Sequence, residues 1–213
     1  ANWRSMKLVY STENAGKIRE MRRFAAHYDI EILSPSEAGL ISQDVEETGD
    51  DYDTNARLKV EAYAQQPQSK DLMICGDDTG IEIDALNGEP GVRTRRWIGH
   101  KMSDDEIIGY TFGRLYGVRD KDRTAHFRIT VAYSIYGGDI NFCKGKLDGR
   151  IVSEPMLNTP PQEGLPFRKL FMVSGEEEIP LWKFDQTPPS GRILSHREAA
   201  FAELFEILKK NSP

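Results

Sequence analysis

The sequence predicts an α/β fold, because apolar strand patterns alternate with patterns of helical spacing along the chain. Residues 6–10 form an apolar strand run, and apolar residues then recur at helical intervals over 18–25. Regular alternation over residues 127–142 predicts a β-hairpin that extends the sheet. These three segments already require helices packed on a sheet.

Taken in order, the remaining segments fit the same class. We expect two further strands before the hairpin, at 30–33 and 72–76, and an alternating strand at 81–85. Helices are predicted over 54–66, over 103–116 behind a capping box at Ser103, and from Ser195 to the end of the chain. The stretch 154–191 is rich in proline, glycine and charge, which predicts a long loop around a short strand at 170–173.

Length and composition bound the kind of protein. The 213 residues suit one domain, or two lobes sharing one core, and we expect a single domain over 6–210, with residues 1–5 a tag remnant or short tail. A hydrophobic content of 38% with 29% charged residues is typical of a globular chain. A net charge of −6 argues against broad nucleic-acid binding, which needs excess Lys and Arg.

Cysteine content and apolar run lengths indicate the compartment. Cys75 and Cys143 each lie in an apolar run, so we expect buried thiols, no disulfide and a reducing, cytoplasmic setting. The apolar runs are far shorter than a membrane helix requires, so no membrane association is expected. The four histidines are scattered without zinc-site spacing, and His126 is expected to be structural or exposed.

The first strand runs into Ser11-Thr12-Glu13-Asn14-Ala15-Gly16-Lys17. Asn14 is a suitable N-cap, and the unpaired N–H groups of the first turn, with Lys17 beside them, form an anion site. The run lacks the glycine and hydroxyl positions of a Walker A loop. An ordinary βα turn remains the alternative.

An acidic run precedes the helix at 54–66, with five carboxylates between Glu46 and Asp53. It is either a solvated loop that caps the helix or a source of oxygen ligands for a hard divalent cation. Asn55 and Lys59 are four residues apart and share one helix face.

Two adjacent carboxylates, Asp77 and Asp78, are predicted at the end of the strand at 72–76. Open α/β sheets place their ligands at such strand ends, so function is favoured over turn chemistry. Because the two carboxylates carry like charges and are adjacent, the pKa of either Asp77 or Asp78 should be raised. His196 and Arg197 fall in the first turn of the last helix, where anions are also attracted. Arginines 93, 95 and 96 are equally compatible with phosphate contact and with a surface role.

These features together describe metal-assisted attack on a nucleotide phosphate, and at this point the chain resembles a known family, the inosine triphosphate pyrophosphatases. The resemblance extends from Met6 to Leu208. Its motifs are Ser11 to Lys17, Glu46-Glu47-Thr48-Gly49 with Asn55-Ala56 and Lys59, Asp77-Asp78-Thr79-Gly80 with Pro90-Gly91-Val92 and Arg96, and Ser195-His196-Arg197.

The resemblance implies an elongated two-lobed fold with a central mixed sheet, a nucleotide cleft between the lobes, and a homodimer. It implies release of pyrophosphate from aberrant purine nucleoside triphosphates such as ITP, dITP or XTP, with Mg²⁺ held by Glu47 and Asp78. Asp78 would also align or deprotonate the attacking water, and Lys59 would assist in binding the phosphates. Asp77 would support these residues without contacting the substrate itself. The implied substrate-binding residues are Thr12, Asn14, Gly16, Lys17, Lys59, Thr79, Phe167, Ser195, His196 and Arg197.

The chain departs from the family where the base is read. The usual Gly-Phe-Gly-Tyr-Asp-Pro loop is replaced by Gly164-Leu165-Pro166-Phe167-Arg168-Lys169, and Gly191 and Arg192 stand where the family has a Lys. A guanidinium in place of a carboxylate predicts an altered base preference.

Two other functions remain open at this stage. One is a non-catalytic nucleotide-binding or sensor protein of the same fold, against which the retained Glu47, Lys59 and Asp78 argue. The other is a nucleotide pyrophosphatase of the Maf type, against which the Ser195-His196-Arg197 motif argues.

Overall fold

The computed structural model describes residues 6–160 and 163–211, so the predicted tag or tail at 1–5 lies outside the described residues. Within them the fold is a mixed α/β arrangement, which confirms the predicted class. The strands are β1 (Met6–Tyr10), β2 (Ile30–Leu33), β3 (Met73–Ile83), β4 (Pro90–Gly91), β5 (Thr124–Ile135), β6 (Asn141–Ile151), β7 (Phe171–Val173) and β8 (Ile179–Pro180). The helices are α1 (Ala15–Ala25), α2 (Tyr52–Ala64), α3 (Asp104–Arg114), α4 (Leu181–Gln186) and α5 (His196–Lys210).

The described strands form one eight-stranded sheet in the order β2-β1-β3-β5-β6-β7-β8, with β4 added beside β3. β1 pairs in parallel with β2 and β3, whereas β7 pairs antiparallel with both β6 and β8. The sheet is therefore mixed. None of the helices in the described residues is long and apolar enough to cross a membrane.

By internal contacts the chain divides into two compact units. The first unit comprises residues 1–78, 129–145 and 197–213, and the second comprises 79–128 and 146–196. The residues of β3, β5 and β6 are divided between them. A single domain over 6–210 stays a prediction.

The first unit buries apolar residues of β1, β3 and the helices α1, α2 and α5. Val60 and Tyr63 of α2 pack with Val9 and Ile74 of the strands. Tyr10 meets Phe201 of α5 edge-on, with ring centroids 5.4 Å apart. Both cysteines are buried free thiols in this unit, as predicted.

The second unit has its own apolar core, built from the far half of β3, the helices α3 and α4, and β7. Its buried side chains include Ile81, Ile107, Phe171 and Phe184. The predicted capping box of α3 is present, since Ser103 and Glu106 bond reciprocally to each other's backbone N–H. Polar contacts also hold His126, whose ring nitrogens lie 2.6 Å from Asp148 and 3.0 Å from Asp84.

Two predictions of local structure are wrong. The strand predicted to end at Gly76 continues without a break from Met73 to Ile83, so Asp77 and Asp78 lie inside a strand. The turn propensity of Asp and Gly is overridden there, because both halves of β3 are paired in the sheet. The stretch 154–191 is not one long loop around a single strand, since α4 and β8 also form within it, with Leu181 and Phe184 packed into the core.

Candidate active site

The N-terminus of α1 is held by Asn14, the predicted N-cap. The Asn14 side-chain oxygen accepts hydrogen bonds from the N–H groups of Gly16 at 2.9 Å and Lys17 at 3.1 Å. The sequence predicts that the N–H groups of this turn are unpaired. That prediction is wrong for Gly16 and Lys17, because the Asn14 cap accepts a hydrogen bond from each. Thr12 accepts a hydrogen bond from the Asn14 N–H at 3.1 Å, which leaves the Thr12 hydroxyl proton available to a ligand. The Lys17 ammonium lies 3.7 Å from Asp77.

Asp77 is a buried carboxylate surrounded by donors and positive charge. Arg197 of α5 donates to Asp77 at 2.9 Å and to the Tyr10 hydroxyl at 2.8 Å, and Tyr10 itself donates to Asp77. Burial alone would raise the pKa of Asp77, but Arg197, Lys17 and Lys59 outweigh burial and hold the pKa well below its usual value. Asp77 is consequently ionised and fully engaged.

Asp78 has a different environment. Successive side chains of a strand point to opposite faces of the sheet, and Asp78 faces α2, where Asn55 donates to it at 3.0 Å. Burial is the largest influence and raises the pKa of Asp78 to about 6, against the opposing effects of Lys59 and Asn55. One pKa of the two is therefore raised, as expected, but Asp77 contributes less to the shift than burial does.

Lys59 of α2 connects the two carboxylate positions. Its ammonium donates to the backbone carbonyl of Asp77 at 2.7 Å and forms an ion pair with Glu47. Burial works to lower the pKa of Lys59, but the carboxylates of Asp77, Glu47 and Asp78 outweigh it and raise the pKa. A Cβ atom at Gly76 would lie 2.9 Å from Cβ of Lys59, so only glycine lets α2 approach β3 this closely.

The acidic run before α2 divides into structural and available carboxylates. Asp51 caps α2 by accepting from the Thr54 N–H at 2.7 Å. Asp53 accepts from Thr130 at 2.8 Å and from Lys144 at 2.9 Å, which fixes the start of α2 to β5 and β6. Glu47 is the member of the run that pairs with Lys59.

The donor set near Lys59 suits magnesium. Glu47 and Asp78 offer two carboxylates, and both are close enough to Lys59 to raise its pKa. Mg²⁺ prefers one or two carboxylate ligands, with water and substrate phosphate as its other ligands. In the described parts of the chain no group of three or more His, Cys, Asp or Glu side chains could hold a metal ion. A cation held by Glu47 and Asp78 would thus depend on water and substrate for its other ligands.

Four of the predicted residues, Thr79, Phe167, Ser195 and His196, belong to the second unit. Phe167 and His196 share a neighbour there, the ring of Phe127. His196 stacks on Phe127 at 5.1 Å between centroids with 14° between planes, and Phe167 meets it edge-on at 6.4 Å. A flat aromatic surface is suited to contact with a nucleobase.

Arg168 does not present an uncompensated charge. Its side chain is only 9% exposed, and its Nε lies 3.1 Å from a carboxylate oxygen of Asp185 in α4. Arg95, one of the three arginines before Trp97, is likewise engaged, by Asp104 at 2.6 Å. The charge of Arg168 is therefore balanced within the second unit.

Two side chains at these positions were missed as contributors. Tyr10 looked like an ordinary apolar strand residue, and nothing in the sequence marks its hydroxyl as a partner of Asp77. Asn55 could have been recognised from its position four residues before Lys59. It joins the acidic run to Asp78, because its carboxamide accepts from the Gly49 N–H at 2.7 Å and donates to Asp78.

Comparison with known proteins places this geometry in context. The chain matches the Ham1 family over residues 8–207. The dITP/XTP pyrophosphatase of Rhodopseudomonas palustris is 35% identical over an alignment of 209 residues, which covers 94% of this chain and 95% of that protein. The solved Ham1 protein of Staphylococcus aureus has a TM-score of 0.72 and 28% identity, covering 97% of this chain and 100% of that one. A solved HAM1 protein from Coxiella burnetii has a TM-score of 0.76 and 27% identity, covering 96% and 99%. With its family match spanning nearly its whole length, the chain belongs to the Ham1 family.

Proposed function

We propose that the chain is a nucleoside triphosphate pyrophosphatase that hydrolyses aberrant purine nucleoside triphosphates such as ITP, dITP or XTP to the monophosphate and pyrophosphate. Relatives named dITP/XTP pyrophosphatase support this substrate class. The observation that carries the proposal is the position of two ammonium groups, Lys17 and Lys59, around the adjacent carboxylates in the first unit. Lys17 lies 3.7 Å from the Asp77 carboxylate, and Lys59 donates to the Asp77 carbonyl. Lys59 also acts on Asp78, the carboxylate whose pKa is raised. We propose residues 6–210 as its single working domain.

The phosphate chain is assigned to the start of α1 and to α2. Lys17 and Lys59 supply positive charge for the phosphate oxygens, and the Thr12 hydroxyl supplies a donor. Asn14 and Gly16 define the backbone path there through the cap hydrogen bonds. Neutralising oxygen charge as the α-phosphorus is attacked lowers the barrier, since these charges are already in place.

Asp78 is assigned to the attacking water. A carboxylate whose pKa lies near 6 is ionised at neutral pH yet a stronger base than an ordinary aspartate, which suits proton abstraction. The water oxygen bonds to the α-phosphorus, its proton passes to Asp78, and the bond from the α-phosphorus to the bridging oxygen breaks. Pyrophosphate leaves with the bonding electrons, and the nucleoside monophosphate remains.

Glu47 and Asp78 are the proposed Mg²⁺ ligands. Bound Mg²⁺ supplies Lewis-acid stabilisation of phosphate-oxygen charge. Asn55 holds the Asp78 carboxylate in position, and Lys59 balances the charge of Glu47. These contacts keep both carboxylates oriented before a substrate arrives.

The base and sugar are assigned to Thr79, Phe167, Ser195, His196 and Arg197. Because Asp185 compensates Arg168, that substitution alone gives no reason to expect a different base. We infer a cytoplasmic homodimer that acts on free nucleotides rather than on nucleic acid or membranes, in keeping with the net charge of −6.

The test is pyrophosphate release with Mg²⁺ across standard, deaminated and modified nucleoside triphosphates, with Asp78→Asn as the inactive control. Fast release from ITP, dITP or XTP that the variant loses supports the proposal. Release from another nucleotide alone would move the specificity to a different base. Nucleotide binding without release would instead favour the sensor function.

A further inference from the structure

The hydroxyl of Ser11 has no role in the interactions described so far. The residue is only 8% exposed, and its oxygen is buried without a hydrogen-bond partner among residues 6–160 and 163–211. Burying a hydroxyl without a partner is unfavourable, and native proteins avoid it except where another molecule supplies the bond.

The backbone fixes where this side chain lies. The Ser11 N–H donates to the carbonyl of Cys75 at 2.8 Å, which continues the parallel pairing of β1 with β3. A Cβ atom built at Gly76 would lie 3.4 Å from Cβ of Ser11 and 2.9 Å from Cβ of Lys59. Ser11 and Lys59 therefore flank the same glycine, on the side of β3 that α2 covers.

Both residues also line a cavity of about 380 Å³ in the first unit. Thr12 lines it as well, and the other walls include Asp44, Glu13 and Tyr63. Glu13 already accepts from the backbone and hydroxyl of Ser36. Lys59, Ser11 and Thr12 thus contribute an ammonium and two hydroxyls to the walls of this space, and these donors suit phosphate oxygens.

We propose that Ser11 is a further substrate-binding residue. Inside this cavity its hydroxyl donates to an oxygen of the β- or γ-phosphate, the two phosphates that leave as pyrophosphate. The inference rests on the proposed pyrophosphatase function and adds a contact to it. A hydrogen bond to a charged oxygen strengthens binding of the triphosphate and of released pyrophosphate alike, because both present the same groups.

The experiment compares Ser11→Ala with Ser69→Ala. Ser69 is also a buried serine, but its hydroxyl bonds to the carbonyls of Ala64 and Gln66 at 2.8 and 2.7 Å, so it is a purely structural control. Titration calorimetry with inorganic pyrophosphate and Mg²⁺ measures binding without turnover, and KM for the best nucleotide is measured beside it.

Ser11→Ala should weaken pyrophosphate binding and raise KM by about tenfold while its thermal stability stays at or above that of the parent. Ser69→Ala should lose stability and keep both constants. Pyrophosphate binding by Ser11→Ala within twofold of the parent would overturn the inference, as would a parent protein that binds no pyrophosphate. If the parent binds pyrophosphate but releases none from any nucleotide, the proposed function fails, and the Ser11 comparison still decides this inference.

Discussion

The two faces of β3 treat neighbouring carboxylates in opposite ways. Asp77, on the face of α1 and α5, accepts from Arg197 and Tyr10 and lies near Lys17, and its pKa is lowered. Asp78, on the face of α2, is held by Asn55, and its pKa rises to about 6. On the first face, hydrogen bonds and positive charges stabilise the ionised form of Asp77. On the second face, burial disfavours the ionised form of Asp78. Because strongly perturbed carboxylates cluster at functional sites, Asp78 is the stronger candidate for a catalytic role.

The largest expected effect is on turnover. Asp78→Asn should lower the rate of pyrophosphate release by about 10³-fold or more, because the variant removes both the proposed base and a proposed metal ligand. The measurement is the steady-state rate on the best substrate with Mg²⁺. Glu46→Gln, a change at an exposed carboxylate beside Glu47, is the matched control and should stay within twofold. A comparable loss in both variants would contradict a specific role for Asp78.

The second effect is on stability and concerns the other face. Asp77→Asn should lower the free energy of unfolding by about 3–5 kcal/mol at pH 7, because Arg197, whose side chain is only 13% exposed, would lose its ionised partner. Urea unfolding followed by circular dichroism measures the change. A loss below about 1 kcal/mol would mean that Arg197 finds compensation elsewhere, and the contrast between the faces would weaken.

The third effect has the opposite sign. A folded-state pKa raised from 3.8 to about 6 means that ionisation of Asp78 costs stability as pH rises through the folded pKa. In metal-free buffer Asp78→Asn should therefore gain up to about 3 kcal/mol at pH 8, falling to about 0.5 kcal/mol at pH 4. Unfolding free energies at both pH values test this. An equal gain at both would rule out ionisation as the cause.

The smallest effect tests how α2 is positioned against β3. Gly76→Ala brings a methyl group to 2.9 Å from Lys59 Cβ, so the variant should lose about 1–3 kcal/mol of stability and some activity. Gly109→Ala in α3 is the control, since nothing lies within 4 Å of its added Cβ. That control should gain about 0.5–1 kcal/mol from helix propensity. Unfolding curves and rates of both variants decide the matter.

Local patterns proved most reliable where periodicity and capping chemistry agree. The ends of β1, the N-cap of α1 and the capping box of α3 all follow from short-range rules that tertiary contacts did not override. The turn propensity of Asp and Gly predicts a strand end at Asp77-Asp78-Thr79-Gly80, and this prediction is wrong. Pairing on both halves of β3 decided otherwise.

For the proposed site, the sequence could indicate candidate residues but not how those residues are arranged in space. Lys17, Lys59 and Asp78 could be singled out from residue type and spacing, yet their mutual distances depend on how α1 and α2 pack on the sheet. The roles of Tyr10 and Arg197 around Asp77 join residues 187 positions apart, which no local pattern could reveal.

The sequence by itself determined the α/β class, the helix caps, the buried thiols and the residue types suited to phosphate and metal. These properties depend on short-range geometry and on side-chain chemistry, which the order of residues carries directly. Only the tertiary structure decided that the two carboxylates face opposite sides of one strand and that Asp185 balances Arg168. A pKa is set by burial and by charges brought close in space, and both arise only when the chain has folded.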